Sequence, residues 1–329
     1  MQCKDAADRE KWRADAERNL PNVRVCFPPM PGNVHCMHSK LMLLGYENVL
    51  RVVVPTANLM PYDWGETGVM ENSVFLIDLP RRKDGGRNTE AEMGLFGREL
   101  VHFCRAKTLD ENVVDSLYEF DFSGAEGLAF VHSIGGEQMG NGEDAVWHRT
   151  GAPGLGRAVR ELGLSTKDDI EVDFVASSIG SLNDEFLSSL YLACQGDDGT
   201  TEYNWRTNAA NIIRHAEDKE RGLVKARTKA PDADLSGQKK VVDTTRANFR
   251  LFFPSRKTVE ESRGGTQSAG TVCFQKKWWE GPKFPRQVMK DCKSRRQGVL
   301  MHNKVSPSHF SLSRHPPCLI HVLWGKLDT

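Results

Sequence analysis

The sequence predicts an α/β fold, and three observations lead there. Short apolar runs of strand character alternate with stretches whose apolar residues fall at helical spacing. Glycine, proline and asparagine clusters punctuate the boundaries between them. The alternation runs through two successive cycles, dividing near residue 125, so the chain reads as two α/β halves, 1–125 and 126–304.

Residues 4–19 are charged and mostly good helix formers, which predicts a solvent-facing helix. Residues 22–27 read as a short strand stopped by Pro28 and Pro29. Residues 40–44 and 49–54 flank a turn and predict a hairpin; residues 74–79 predict another buried strand. After a charged, glycine-rich loop at 81–87, Thr89 and Glu92 stand at capping-box spacing and open a helix through about Lys107. Its residues Met93, Phe96, Leu100, Phe103 and Cys104 form a helical stripe that suits core packing. The second cycle predicts a strand at 127–134, then a polar glycine-rich loop at 135–144. With no GK[ST] and helix after it, that loop is a weak phosphate cradle. A helix at 155–162, a strand at 170–176, a helix at 182–194 and a strand at 248–254 complete the cycle. Residues 196–245 read as a polar surface excursion with helical pieces around 207–221.

With 329 residues, 39% apolar and 27% charged, the chain suffices for one large α/β unit or two ordinary domains. It contains no apolar run of 18 residues, so no membrane-spanning helix is expected, and its charged start has no apolar signal core. Eight cysteines without a CxxC pair argue against a zinc ribbon or a disulfide scaffold and suggest a reducing compartment. Lys+Arg and Asp+Glu balance at 44 each, but between 276 and 304 nine basic residues face two acids, interleaved with Trp278, Trp279 and Phe284. Such a mixture suits a phosphate backbone with stacked bases; a solvated basic face over a buried tryptophan pair explains it too.

Two HxK segments carry the chemistry: His38-Ser39-Lys40 and His302-Asn303-Lys304. On a strand, residues i and i+2 share a face, so each segment offers an imidazole and an ammonium to one spot. A phosphate diester asks for that pair: a nucleophile or proton carrier, and a fixed positive charge for the non-bridging oxygens.

The surroundings sharpen this. NVHCMHSKLMLL…LRVVVPTANLMPYDW, residues 33–64, resembles the first catalytic motif of the tyrosyl-DNA phosphodiesterases, which are metal-independent members of the phospholipase D superfamily. That family uses an HKN variant of the HKD motif; the HKD aspartate position is Gly45 here and the motif asparagine is Asn58. The following Asp63-Trp64 pair also matches, and Glu71 stands where the family carries a Gln or Glu supporting the imidazole. SSIGSL at 177–182 resembles the family's DNA-contacting serine segment, which carries over to Ser178 and Ser181, although Ser181 could equally be a helix N-cap. Segments 252–265 and 273–286 resemble fungal relatives, and 298–304 (GVLMHNK) then resembles the start of the family's second catalytic motif.

The resemblance implies a phospholipase D-like α/β fold, two halves with mixed sheets sharing a central cleft, each half giving one HxK. It implies that His38 attacks phosphorus at a 3′-phosphotyrosyl DNA end and that His302 serves as general acid and then base. Lys40, Lys304 and Asn58 would hold the oxygens, and Glu71 would support an imidazole. It implies no cofactor and no metal, DNA with a 3′-linked tyrosine or peptide as partner, no membrane, a monomer and a nuclear address. Departures accompany it. Relatives carry more residues before the first HxK, and residues 305–329 lack the second motif's asparagine and late glutamate, reading as an unrelated tail. The alternative expectation is therefore an inactive fragment that at most binds DNA. A phospholipase is disfavoured, because both HKD aspartates are absent.

Overall fold

The computed structural model describes residues 5–20, 22–32, 37–138, 146–205 and 235–303. Helix α1 (Ala6–Asn19) starts at Asp5, whose carboxylate caps the Ala7 and Asp8 amides, and it buries only Ala16. Strands β1 (Met42–Gly45) and β2 (Val49–Pro55) form the predicted hairpin. Beyond the two-residue β3 (Met70–Glu71), strand β4 (Val74–Pro80) pairs antiparallel with the other side of β2. The capping box forms, with the Thr89 amide donating to Glu92 Oε2 at 2.7 Å. The chain then turns once before helix α2 (Gly94–Ala106) begins, followed by α3 (Glu111–Ser116).

The helical stripe of α2 is buried as its spacing predicts. Met93, Phe96, Leu100, Phe103 and Cys104 pack with Leu50, Val52, Val54 and Leu79 of the sheet into one core. Removing this surface from water is the main stabilising contribution, roughly 1.5–3 kcal/mol for each large side chain.

Helix α4 (Gly151–Glu161), β5 (Val172–Val175), β6 (Ser178–Ile179) and α5 (Asp184–Cys194) follow. Then come α6 (Leu235–Asn248), β7 (Phe249–Phe253), α7 (Arg256–Glu260), β8 (Cys273–Phe274), α8 (Lys276–Trp279), β9 (Met289–Asp291) and β10 (Leu300–Met301). The sheet β5-β7-β9 is parallel throughout. Its strand residues Val172, Phe174, Phe249 and Leu251 pack against Leu155 and Val159 of α4 and Leu187, Leu190 and Tyr191 of α5 in a second core. Gly156 makes the closest approach there. A Cβ at that position would lie 1.6 Å from the Asp197 carbonyl oxygen, so α4 seats against this loop only with glycine.

Two predicted strands do not form. Residues 22–27 have no ladder partner among the described residues; Arg24 instead pairs with Asp110, and Phe27 is buried. Residues 127–134 are likewise unpaired. Their apolar character comes from lying between the two cores, Phe130 packing into the first and Val131 into the second. Side-chain and turn contacts take up some of the backbone groups there: Ile134 N–H donates to Thr150 Oγ1, and His132 O accepts from Gly151 N–H. Helix α6 starts inside the stretch expected to be a polar excursion, and its Arg246 pairs with Asp184 of α5. The helical pieces expected around 207–221, most of the 135–144 loop, and residues 305–329 lie outside the described residues.

A last ladder joins the final strand of the described chain to a short strand in its first half. β10 pairs in parallel with β3, Leu300 opposite Met70 and Met301 opposite Glu71. It delivers the second HxK segment to the neighbourhood of the first.

Candidate active site

His38 and Lys40 sit just before the edge strand β1, both half-buried. Lys40 Nζ lies 3.1 Å from both ring nitrogens of His38 and donates to the His38 carbonyl at 3.1 Å. Burial pushes the Lys40 ammonium down to about 8, against the opposing pull of the Asp63 carboxylate.

Strand β2 ends at Pro55, and the chain passes through Thr56, Ala57 and Asn58 into a 3-10 turn, Pro61–Trp64, with proline at its first position. This turn places Asp63 in the interior, almost without solvent contact. Its Oδ2 accepts from the Asn58 backbone N–H at 2.7 Å and from Asn58 Nδ2 at 2.6 Å. Trp64 Nε1 donates to the Asn58 carbonyl at 2.8 Å, so Asn58 is held on both sides. Asn72 donates to the Asp63 carbonyl at 2.9 Å and accepts from Thr56 Oγ1 at 2.8 Å, tying the turn to the start of β4.

His302 follows β10 and is buried. Its backbone N–H donates to the Glu71 carbonyl at 2.9 Å, extending the β3–β10 ladder by one bond. Its Nδ1 lies 3.3 Å from Asp63 Oδ1. One buried carboxylate therefore holds Asn58 with one oxygen and stands beside His302 with the other. A carboxylate at Nδ1 orients an imidazole and leaves Nε2 for proton transfer.

The structure thus gathers Lys40, Asn58 and His302 around Asp63, and Lys40 in turn lies against His38. Glu71 contributes its carbonyl to His302, while its carboxylate stands 3.6 Å from Nε of the exposed Arg296. Lys304 lies outside the described residues. Ser178, on β6, donates to the Thr271 carbonyl at 3.4 Å, and Thr271 Oγ1 reaches Met70 Sδ of β3 at 3.7 Å. The serine segment therefore connects to the strand that holds His302. Ser181 is half-buried before α5, but the N-cap of that helix is Asn183, which accepts from Phe186 N–H at 2.8 Å. Among the described residues no group of three or more His, Cys, Asp or Glu side chains is placed to hold a metal ion. The hub role of Asp63 was not foreseen. Its signal was an acidic residue in an otherwise apolar turn, five positions after the motif asparagine.

Residues 1–315 match the family model described as tyrosyl-DNA phosphodiesterase. The chain belongs to the tyrosyl-DNA phosphodiesterase family. Its fold is similar to two solved structures of the yeast tyrosyl-DNA phosphodiesterase, one of them a histidine-to-alanine mutant. Both are 17% identical, with TM-scores of 0.50 and 0.51, over 90% and 92% of this chain. The matches cover 64% and 63% of those chains, so this chain spans less than two thirds of their length. At that identity the likeness concerns the fold, a phospholipase D-like α/β architecture.

Proposed function

We propose that this chain is a phosphodiesterase that removes tyrosine and related blocks from DNA 3′ ends through a phosphohistidine intermediate. One observation carries the reading. The buried Asp63 carboxylate stands beside His302 of the second HxK segment, accepts from Asn58 and acts on Lys40 of the first segment, whose ammonium lies against His38.

In the first step a His38 ring nitrogen attacks phosphorus and the phosphorus–oxygen bond to tyrosine breaks. His302 gives the departing phenolate oxygen a proton. In the second step His302 takes a proton from water, the water oxygen attacks phosphorus, and the nitrogen–phosphorus bond breaks to free a 3′-phosphate. Lys40, Lys304 and the Asn58 amide hold the non-bridging oxygens, where negative charge collects. Asp63 keeps His302 oriented through both steps. Glu71 supports the His302 segment through its carbonyl, and Ser178 and Ser181 contact the DNA backbone. The two halves, 1–125 and 126–304, each provide one HxK. The same reading makes the enzyme a metal-independent 3′-end exonuclease of HKN type, monomeric and acting in the nucleus.

The test is cleavage of a 3′-phosphotyrosyl single-stranded oligonucleotide by the purified chain in EDTA, beside His38→Ala. Turnover that disappears in His38→Ala is the expected result. Folded protein that binds the oligonucleotide in a salt-dependent way but never cleaves it would replace this reading with that of a DNA-binding fragment.

A further inference from the structure

Between α2 and α4, away from both HxK segments, lies a polar cleft of about 560 Å³. On α2, Arg98, His102 and Arg105 fall at i, i+4 and i+7 and share a helix face. Arg157 and Arg160 of α4 stand opposite, and the turn before α4 adds Arg149. Five guanidiniums line the cleft with three acids, Glu90, Glu99 and Asp198, and two more carboxylates, Glu111 and Glu161, pair with them from its rim, so the cleft offers spare donors rather than a net charge.

Their ion pairs leave donors over. Arg160 reaches a single oxygen of Asp198 with both terminal nitrogens, at 3.2 and 3.1 Å. Arg105 reaches one oxygen of Glu111 with two nitrogens, at 3.0 and 2.8 Å. Arg98 and Arg157 share Glu161. A guanidinium has five N–H donors in a planar fork, so one carboxylate between two of them cannot saturate either. His102 Nε2 is buried with no hydrogen-bond partner among the described residues. Burial, then the charges of Arg149 and His132, push the His102 imidazole down to about 4 against the pull of nearby Glu99, so His102 stands neutral in the cleft at neutral pH.

We propose that this cleft is a second anion site, separate from the HxK centre, for a compact phosphate-bearing ligand. Phosphate fits better than a lone carboxylate. It presents three or more acceptor oxygens at once, and planar guanidiniums arriving from two helices can each take a pair of them. The ligand would bridge α2 and α4, supplementing the Arg98–Glu161 pair that already joins them.

Calorimetric titration of the full chain with inorganic pyrophosphate at low salt tests this. Arg105 and Arg160 are partly solvent-exposed, and exposed pairs contribute little to folding. The expected result is that Arg105→Gln/Arg160→Gln weakens binding by about tenfold or more while Lys40→Ala leaves it unchanged. If the double variant melts early, Arg160→Gln alone should weaken binding about threefold to tenfold. Undiminished affinity in the folded variants, or binding lost with Lys40→Ala, would overturn the proposal. Competition by an oligonucleotide without a 3′ adduct separates the sources. Displacement of pyrophosphate assigns the cleft to nucleic-acid phosphates, and no displacement assigns it to a free anion.

Discussion

The two HxK segments have the same residue pattern and opposite surroundings. His38 and Lys40 are half-buried on a segment leading into an edge strand, and the lysine folds back on its own histidine. His302 is buried, its backbone N–H donates to the Glu71 carbonyl, and its Nδ1 lies 3.3 Å from the Asp63 carboxylate. The difference suits two roles. A nucleophile must reach a large substrate, so access matters. A proton carrier must keep one tautomer and one orientation through two steps, so enclosure and a fixed partner matter. Similar motifs need not sit in equivalent surroundings, and the contrast matches the two roles proposed above.

Asp63→Asn should give the largest effect. An amide keeps the shape but loses the charge beside His302 Nδ1, so kcat should fall roughly 10²- to 10⁴-fold in single-turnover cleavage. Glu71→Gln should cost much less, because the Glu71 carboxylate faces Arg296 while only its carbonyl holds His302. Equal losses in the two variants would shift the orienting role from Asp63 to Glu71 and break the contrast.

The other motif answers to pH. The Lys40 ammonium, lowered to about 8 by burial, is protonated below that value and neutral above it. The rate should therefore drop up to tenfold per unit as pH rises past about 8, through loss of the charge on the phosphate oxygens. A rate that stays flat to pH 9.5 would remove Lys40 from the chemistry.

Two scaffold changes separate the supports of the two segments. Gly156→Ala forces α4 off the Asp197 carbonyl and should destabilise the chain by about 1–3 kcal/mol in urea unfolding. Thr108 closes α2 at φ 56°, a left-handed conformation that a β-branched residue adopts at a cost. Thr108→Gly should raise stability by up to about 1 kcal/mol. Because α2 packs under the β1–β2–β4 sheet, this gain should leave the pH limb of Lys40 in place. A shifted limb would show that the first segment is coupled to that helix end.

How much of this was legible in the sequence depended on where the partners of a residue lie. The β1–β2 hairpin, β4 and the stripe of α2 could be read because their burial follows their own period. Residues 127–134 were misread because two different cores bury alternate members of one run, which imitates a strand. Helix α6 was missed because it is polar and starts inside a charged stretch. In the site, the HxK pairs stood out by residue type and spacing, and Asn58 only through the family resemblance. The hub did not, because Asp63 acquires its role from an asparagine five residues before it and a histidine at the far end of the described chain.

The β3–β10 ladder has a consequence in time. Thr56 and Asn303 come within 3.4 Å although 247 residues separate them in sequence. Contacts of such separation close late, since the intervening chain must collapse before they stabilise anything. On a ribosome the first HxK emerges long before its counterpart, and His302 reaches Asp63 only when nearly all the described chain has been made and folded. A nascent chain that has not yet reached residues 300–303 therefore cannot bring His302 to Asp63.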